Sequence, residues 1–373
     1  MQITPDIINS IVIKNGKYFL PDRVRIAIEH CLDSNDEQAI TSEYRRLFAE
    51  YQHYETLYEP AKIDYRGAIT LDAYVSYYFT RNFIIPLIGL RDLAYCETFQ
   101  KVPESLRILD MGSGTGAVVF GLLWLFDCFP SSKVQKNIVA VDACAEALER
   151  QKQMIADAGW NREQIAQIVA DISDAGNCIQ VLSEAGPYNL IFFANSLTEI
   201  PAANTFDLIQ RLPDILTDEG AIIIAEAQRN YTKNLVKTIA KLAQGWGLHV
   251  YYPCSGDSCP YSFPPYCWVW RYHPYKIPDI KVEGQLLSED PKGELVASWI
   301  ILTKHPLSIF DTFKERLPDL TWGSISKETG NKRAICAGNR ELSFEDNHFY
   351  PVYRRGHIAG LSSDGEHVEH HKI

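Results

Sequence analysis

The sequence predicts an α/β fold: a parallel sheet covered by helices on both faces, preceded by a helical segment and followed by a small β extension. Three observations carry this. Arg107 to Met111 runs as an apolar strand into three alternate glycines, Gly112, Gly114 and Gly116, and Ala117 to Phe129 then reads as an apolar helix. From residue 105 onward apolar strands alternate with helical stretches, the pattern of a sheet wound on both sides. Polar residues, Asp142, Asp171 and Asn195, close the next three strands at the edge where open α/β sheets bind ligands.

Composition bounds the problem. A chain of 373 residues with 46% hydrophobic content can bury a sizeable core and holds two or three domains. We divide it into residues 1–100, 101–305 and 306–373. A net charge of −11 and a pI near 5.4 argue against broad binding to a phosphate backbone. The N-terminus lacks a charged region followed by an apolar run, and no later segment has the length of a membrane span, which points to a cytoplasmic protein with no membrane partner. Nine cysteines in no regular framework also suit a reducing compartment.

In the first hundred residues, Asp22 to Cys31, Glu37 to Tyr58 and Leu71 to Phe99 carry apolar residues at helical spacing, with Pro86 expected to kink the third helix. Tyr74, Tyr77, Tyr78, Arg81 and Phe83 form an aromatic and basic cluster in that helix. Helix packing with a snorkelling arginine explains it better than a lid over substrate.

The glycine turn lets backbone approach a ligand at a helix N-terminus with no side chain in the way. Gly112-Ser-Gly114-Thr-Gly116-Ala117 also satisfies the dinucleotide pattern. Asp110 separates the two cofactor classes, because a carboxylate there repels a pyrophosphate and suits a ligand carrying an ammonium and a sulfonium. The run Asp110-x-Gly112-x-Gly114-x-Gly116 resembles the first motif of class I methyltransferases, which implies a Rossmann-like sheet and S-adenosylmethionine as cofactor.

The second strand, Asn137 to Asp142, ends in an acid suited to two ribose hydroxyls or to capping the helix that begins at Ala143. The third, Ala166 to Asp171, ends in Asp171-Ile172-Ser173, which resembles the methyltransferase element that contacts the adenine amino group; an N-cap is the competing role. The fourth, Tyr188 to Asn195, is a continuous apolar run, as a central strand should be. Ala221 to Ala227 gives a fifth, and Thr232 to Gly245 a basic amphipathic helix. The candidate cofactor residues are Asp110, Gly112, Ser113, Gly114, Gly116, Asp142, Ala143, Asp171, Ile172 and Asn195.

Cys254, Cys259 and Cys267 fall within fourteen residues of a loop rich in proline, glycine and serine. Thiolates so spaced can turn onto one metal, the alternative being three buried, inert thiols. A closed site needs a fourth ligand. Cys336 is the first candidate, with His249 and His273 behind it. Four thiolates suit zinc or an iron–sulfur cluster equally.

Taken together, the helix of Tyr77 to Arg81, the glycine turn, Ser196-Leu-Thr-Glu199-Ile-Pro201, Glu226 and the cysteine loop resemble the methyltransferase-like proteins associated with the mitochondrial small ribosomal subunit and their bacterial relatives. The resemblance covers roughly residues 70 to 340. It implies a [4Fe–4S] cluster on Cys254, Cys259, Cys267 and Cys336, with zinc the other metal, and a partner in the small ribosomal subunit or its rRNA. The acidity of this chain departs from the basic character of ribosome-bound members. It leaves room for a free enzyme acting on a small-molecule acceptor, and for a cofactor-binding assembly factor that performs no transfer. Glu199 is the candidate general base, provided its side chain reaches the crevice; otherwise it is a structural helix-start acid. No Asn-Pro-Pro-Tyr signature follows the fourth strand, so the acceptor atom is open.

Towards the C-terminus, Glu294 to Lys304 reads as a last strand and Trp322 to Leu342 as a β extension. Tyr353 to His357 is a compact basic patch, read as a solvated surface in preference to a phosphate contact, and Leu361 to Ile373 reads as a mobile tail.

Overall fold

A computed structural model describes residues 3–14, 17–33, 36–129, 135–227, 229–253, 273–274, 294–295, 297–316, 321–329, 332–337, 340–345, 358–361 and 368–371. Seven strands form the central sheet: β1 (Ser105–Met111), β2 (Gln135–Asp142), β3 (Ile165–Val169), β4 (Tyr188–Ala194), β5 (Leu216–Ala227), β6 (His249–Tyr252) and β7 (Ala297–Thr303). Their order is 3-2-1-4-5-7-6, with β1 to β5 parallel and β7 antiparallel to both of its neighbours. The order reverses between β1 and β4, so the connections leave those two strands in opposite directions and open a crevice above them. This is a Rossmann-like, doubly wound sheet.

Strand side chains alternate between two apolar layers, as the period of two requires. Ile108, Ala140, Phe192 and Ile223 face one layer, and Leu109, Val139, Ile191 and Ile222 the other. The second layer is closed by helices Ala175–Ser183, Ala202–Arg211 and Asn230–Leu242, which contribute residues such as Leu182, Leu208 and Val236. The first layer holds α6 (Ala117–Asp127) and α7 (Ala145–Asp157) together with the N-terminal helices α1 (Pro5–Val12), α2 (Asp22–Cys31), α3 (Glu37–Leu57), α4 (Ala68–Tyr74) and α5 (Ile85–Leu93). The first hundred residues therefore share one core with the sheet. α6 is buried along nearly its whole circumference, which accounts for its unbroken apolar sequence.

Sequence periodicity places α2 and α3 closely. α3 starts where the Asp36 carboxylate accepts the N–H groups of Gln38 and Ala39, both at 3.0 Å. The long helix expected over Leu71 to Phe99 is instead several pieces. A π-helical turn, Val75–Phe79, follows α4, and Pro86 sits in the first turn of α5. Pro86 starts a helix and does not kink one, because its missing N–H costs nothing in a first turn. That placement lets α6 approach closely: a Cβ at Gly121 would lie 2.4 Å from the Phe83 carbonyl oxygen and 2.7 Å from the Pro86 ring.

Buried ion pairs fasten the N-terminal helices to the sheet domain and to one another. Arg150 of α7 donates to Asp72 of α4 at 2.7 Å, to the Cys31 carbonyl and to Asp33. Arg91 pairs with Asp92 at 3.1 Å and donates to the Tyr18 hydroxyl at 2.6 Å, all out of solvent.

Beyond the sheet, a helix at Ile309–Arg316 leads into β8 (Thr321–Thr329), β9 (Lys332–Ala337), β10 (Arg340–Glu345), β11 (Ile358–Leu361) and β12 (Val368–His371). They form an antiparallel sheet in the order β10-β9-β8-β11-β12. The extension is thus larger than expected, and the tail read as mobile carries β12, paired with β11 from Leu361↔Val368 to Ile358↔His371. The basic patch at 353–357 lies outside the described residues. Among the described residues no helix is long and apolar enough to cross a membrane.

Candidate cofactor site

A cavity of about 670 Å³ opens in the crevice, within the roughly 300 to 1,000 Å³ typical of small-molecule sites. The sheet supplies one wall: Gly112, Gly114 and Thr115 after β1, Asp142, Ala143 and Cys144 after β2, Asp171, Ile172 and Ser173 after β3, and Asn195, Ser196 and Glu199 after β4. The N-terminal segment supplies the other, with Lys62 to Arg66, Leu71 and Tyr74.

Each glycine of the turn has a distinct task. Gly112, Gly114 and Gly116 all have positive φ, at 72°, 52° and 91°. A Cβ at Gly112 would lie 2.4 Å from the Ser196 Cβ, so this residue lets the β1 and β4 loops touch. At Gly116 a Cβ would collide with Gln151 at 2.6 Å. Gly114 differs, because a Cβ there would meet only Tyr74, at 4.0 Å. Its missing side chain keeps the cavity open.

The main-chain donors expected to face a ligand are largely committed inside the protein. Gly112 and Ser113 both donate to the Val141 carbonyl, at 2.8 and 2.9 Å, and Gly114 donates to Asp142 at 2.7 Å. A pyrophosphate would have to displace these bonds. Asp142 accepts one N–H on each carboxylate oxygen, from Gly114 and from Cys144 at 2.8 Å, which places it on the wall with lone pairs to spare. Burial raises its pKa against the pull of those donors. It is not the cap of α7, whose N-cap is Cys144. Nor does Asp171 cap the helix after β3, since Asp174 does that; Asp171 accepts the N–H of Ser173 at 2.8 Å.

Asp110, Ser113 and Gly116, expected at the ligand, lie behind the wall. Gln167 donates to Gln151 at 2.6 Å, Gln151 to the Ser113 hydroxyl at 2.7 Å, and Ser113 to Asp110 at 2.7 Å. Burial pushes Asp110 up to about 7, with the Ser113 hydroxyl pulling the other way. The motif acid braces the turn from behind, where among the described residues its hydrogen-bond partner is the Ser113 hydroxyl.

Asn195, also at positive φ (61°), turns the chain off β4 and donates its amide to Asn82 at 2.7 Å. The next loop is pinned by Glu226 at the end of β5, whose carboxylate accepts the N–H groups of Ser196, Leu197 and Thr198 at 3.0 to 3.1 Å. Burial raises Glu226 to about 8 against those three donors. This clamp turns Glu199 onto the cavity wall, where its Oε1 accepts from Tyr51 at 3.0 Å and from Tyr65. Burial raises Glu199 to about 7, while the two hydroxyls pull it down.

Sequence reasoning missed Tyr65, Tyr51 and Thr115. Tyr65 sits in a stretch read as a connection, and no local pattern links it to Glu199. The aromatic cluster of α4 does reach the site: Tyr74 lines the cavity and packs edge-on against Tyr65, ring centroids 5.4 Å apart.

Of the proposed metal ligands, Cys254, Cys259 and Cys267 lie outside the described residues. Cys336 lies in β9, opposite Ser324 and Glu341. Among the described residues no group of three metal-ligating side chains comes together.

Fold and crevice define a Rossmann-like domain with a cavity at its switch point whose charged lining is mostly acidic. No protein-family model matches the chain, and no curated protein matches it in sequence. Solved structures similar to it include a TehB-like S-adenosylmethionine-dependent methyltransferase from Corynebacterium glutamicum, 16% identical over 57% of this chain and 87% of that one, with a TM-score of 0.32. An rRNA methylase from Streptococcus thermophilus is 16% identical over 46% and 89%, TM-score 0.32. A ribosomal protein L11 methylase from Lactobacillus delbrueckii subsp. bulgaricus is 16% identical over 60% and 77%, TM-score 0.34.

Proposed function

We propose that the protein binds S-adenosylmethionine in this cavity and acts as a class I methyltransferase. The supporting observation is the chemistry of the wall. Asp64, Asp142, Glu146, Asp171 and Glu199 outnumber Lys62 and Arg66, and Arg66 is already paired with Asp64 at 2.9 Å. Such a wall attracts a cation, and the committed N–H groups of the turn disfavour a pyrophosphate. Bound there, S-adenosylmethionine supplies an electrophilic methyl group. The chain's own part is to accept the ribose hydroxyls at Asp142, to leave room for backbone approach at Gly114, and to flank the adenine with Asp171, Ile172 and Ser173. Calorimetry tests this. Asp142→Ala should weaken binding by about 1 to 3 kcal/mol through the loss of charge-assisted hydrogen bonds. Unchanged affinity in the variant, or tight NAD binding by the wild type, overturns the reading.

The ribosomal partner is the finer part of the proposal. It rests on the family resemblance of Ser196 to Pro201 and of the cysteine loop, and co-purification with small ribosomal particles tests it. The net charge of −11 supports a free small-molecule methyltransferase instead, which would turn over with no RNA present. The metal proposal rests on cysteine spacing and the same resemblance: Cys254, Cys259, Cys267 and Cys336 would hold a [4Fe–4S] cluster, or zinc. An anaerobic preparation with metal analysis distinguishes the two.

A further inference from the structure

Six tyrosines, from α3, from α4 with the π-helical turn after it, and from the segment between α3 and α4, pack ring against ring beside the cavity. Two of the inner rings already carry cations: the Arg229 guanidinium lies 4.4 Å from the centre of Tyr51, and that of Arg81 lies 4.4 Å from the centre of Tyr77. Tyr65 and Tyr74 are the members that line the cavity, and among the described residues no cation covers either ring. They meet nearly at right angles, at 84° with centroids 5.4 Å apart, and so form a corner. The π turn that directly follows Tyr74 is a feature that recurs at functional sites.

Glu199 stands beside this corner. Its Oε1 accepts from Tyr51 at 3.0 Å and from Tyr65, while among the described residues no donor reaches Oε2 and no side chain forms an ion pair with the carboxylate. Arg229 is held on the Tyr51 ring and the Tyr51 carbonyl. Lys62 and Arg66 line the same cavity, but Arg66 is paired with Asp64 at 2.9 Å and neither forms an ion pair with Glu199. Two rings at a corner and a carboxylate with an oxygen to spare are complementary to an ammonium group. Ile63, Leu71 and Ile200, each within three residues of Tyr65, Tyr74 or Glu199, also line the cavity and suit an apolar body. An anionic ligand would meet the acidic lining instead.

We infer that Tyr65, Tyr74 and Glu199 form the acceptor subsite, and that the acceptor is a small amine with an apolar body, its ammonium held between the two rings and the free Glu199 oxygen. This rests on the cofactor reading above and deepens its small-molecule form by naming the substrate class. The subsite is made chiefly by the N-terminal wall, so the helical segment that shares its core with the sheet also carries the choice of acceptor. Tyr51 is a positioning residue: its hydroxyl fixes one Glu199 oxygen and leaves the other for the ligand.

Phenethylamine, 2-phenylethanol and 3-phenylpropionate share one body and differ in charge, and they test this on the full chain saturated with S-adenosylhomocysteine, the demethylated cofactor. Calorimetry should show phenethylamine binding, with 3-phenylpropionate at least about tenfold weaker. Glu199→Gln should weaken phenethylamine by about 10- to 100-fold, the scale of a lost charge-assisted hydrogen bond, and leave 2-phenylethanol within about threefold. Tyr65→Leu, at an unchanged melting temperature, should weaken phenethylamine by about 3- to 30-fold, and Tyr65→Phe, which keeps the ring, should retain most of the affinity. That pair covers the case in which Glu199→Gln fails to fold. Phenethylamine that does not bind, binds no better than 3-phenylpropionate, or is displaced by S-adenosylhomocysteine overturns the subsite and leaves the cofactor reading intact. A wild type that does not bind S-adenosylhomocysteine overturns that reading and the subsite with it.

Discussion

The two walls of the cavity are built by different physics. The sheet wall is fixed within the sheet domain: Asp142 is held by N–H groups of Gly114 and Cys144, and the loop after β4 by the Glu226 clamp. The N-terminal wall is fixed at a distance. Asp72 answers Arg150 across 78 residues, and Tyr51 answers Glu199 across 148. The sheet wall also carries main-chain bonds, Gly112 and Ser113 to the Val141 carbonyl and Asn195 to the Ala225 carbonyl, that survive loss of any one side chain, whereas the N-terminal wall hangs on a few buried charges and hydroxyls.

Asp72→Ala tests the second half of that contrast most severely. It leaves the Arg150 guanidinium buried beside Asp33 and a carbonyl, and removing one partner of a buried pair costs about 3 to 5 kcal/mol. Urea denaturation should show the loss, and protease cleavage should appear first in the N-terminal helices. A loss under about 1 kcal/mol would mean that the walls are held alike.

Gly112→Ala probes the sheet wall at its tightest point. The new Cβ would meet Ser196 at 2.4 Å at a φ of 72°, so both strain and overpacking apply, together about 2 to 4 kcal/mol. Gly114→Ala is the matched control. It carries the same kind of backbone strain, about 1 to 2 kcal/mol, but meets nothing closer than Tyr74 at 4.0 Å. Its larger effect should be on cofactor affinity, because the added methyl occupies the cavity. If both variants lose stability equally, contact between the β1 and β4 loops is not what requires Gly112.

This asymmetry also explains what the sequence reveals. Strand-end acids, glycine turns and helix periods are local signals, and they locate α2, α3, β1, β2 and β4 within a few residues. Asp110 misleads because the motif shows that an acid is required without showing which way it faces; the Gln167–Gln151–Ser113 chain that receives it is assembled from three elements. The break of the long helix at Val75–Phe79 is invisible to periodicity, since a π turn adds a residue without changing composition. Tyr65 has no local signature at all, and its role exists only once the chain has folded back over β4.

The smallest expected effect is the pH dependence of cofactor affinity, which falls where the two walls meet. Glu199 is faced by Tyr51, Tyr65, Tyr74 and Tyr78 from the N-terminal side, and by Asp142, Glu226 and Arg229 from the sheet side. Burial raises it to about 7 in the free protein. The cationic cofactor proposed above favours the ionised carboxylate, so the Glu199 pKa should fall on binding and a proton should be released. Affinity for S-adenosylhomocysteine should therefore rise with pH up to about 7 and level off above it, weakening about tenfold for each pH unit below. Asp110, also near 7, and Glu226, near 8, are further titrating acids behind the wall. Glu199→Gln separates Glu199 from both. Its calorimetric pH profile should be flat between pH 6 and 8 if Glu199 is the source, and should keep the wild-type slope if Asp110 or Glu226 is.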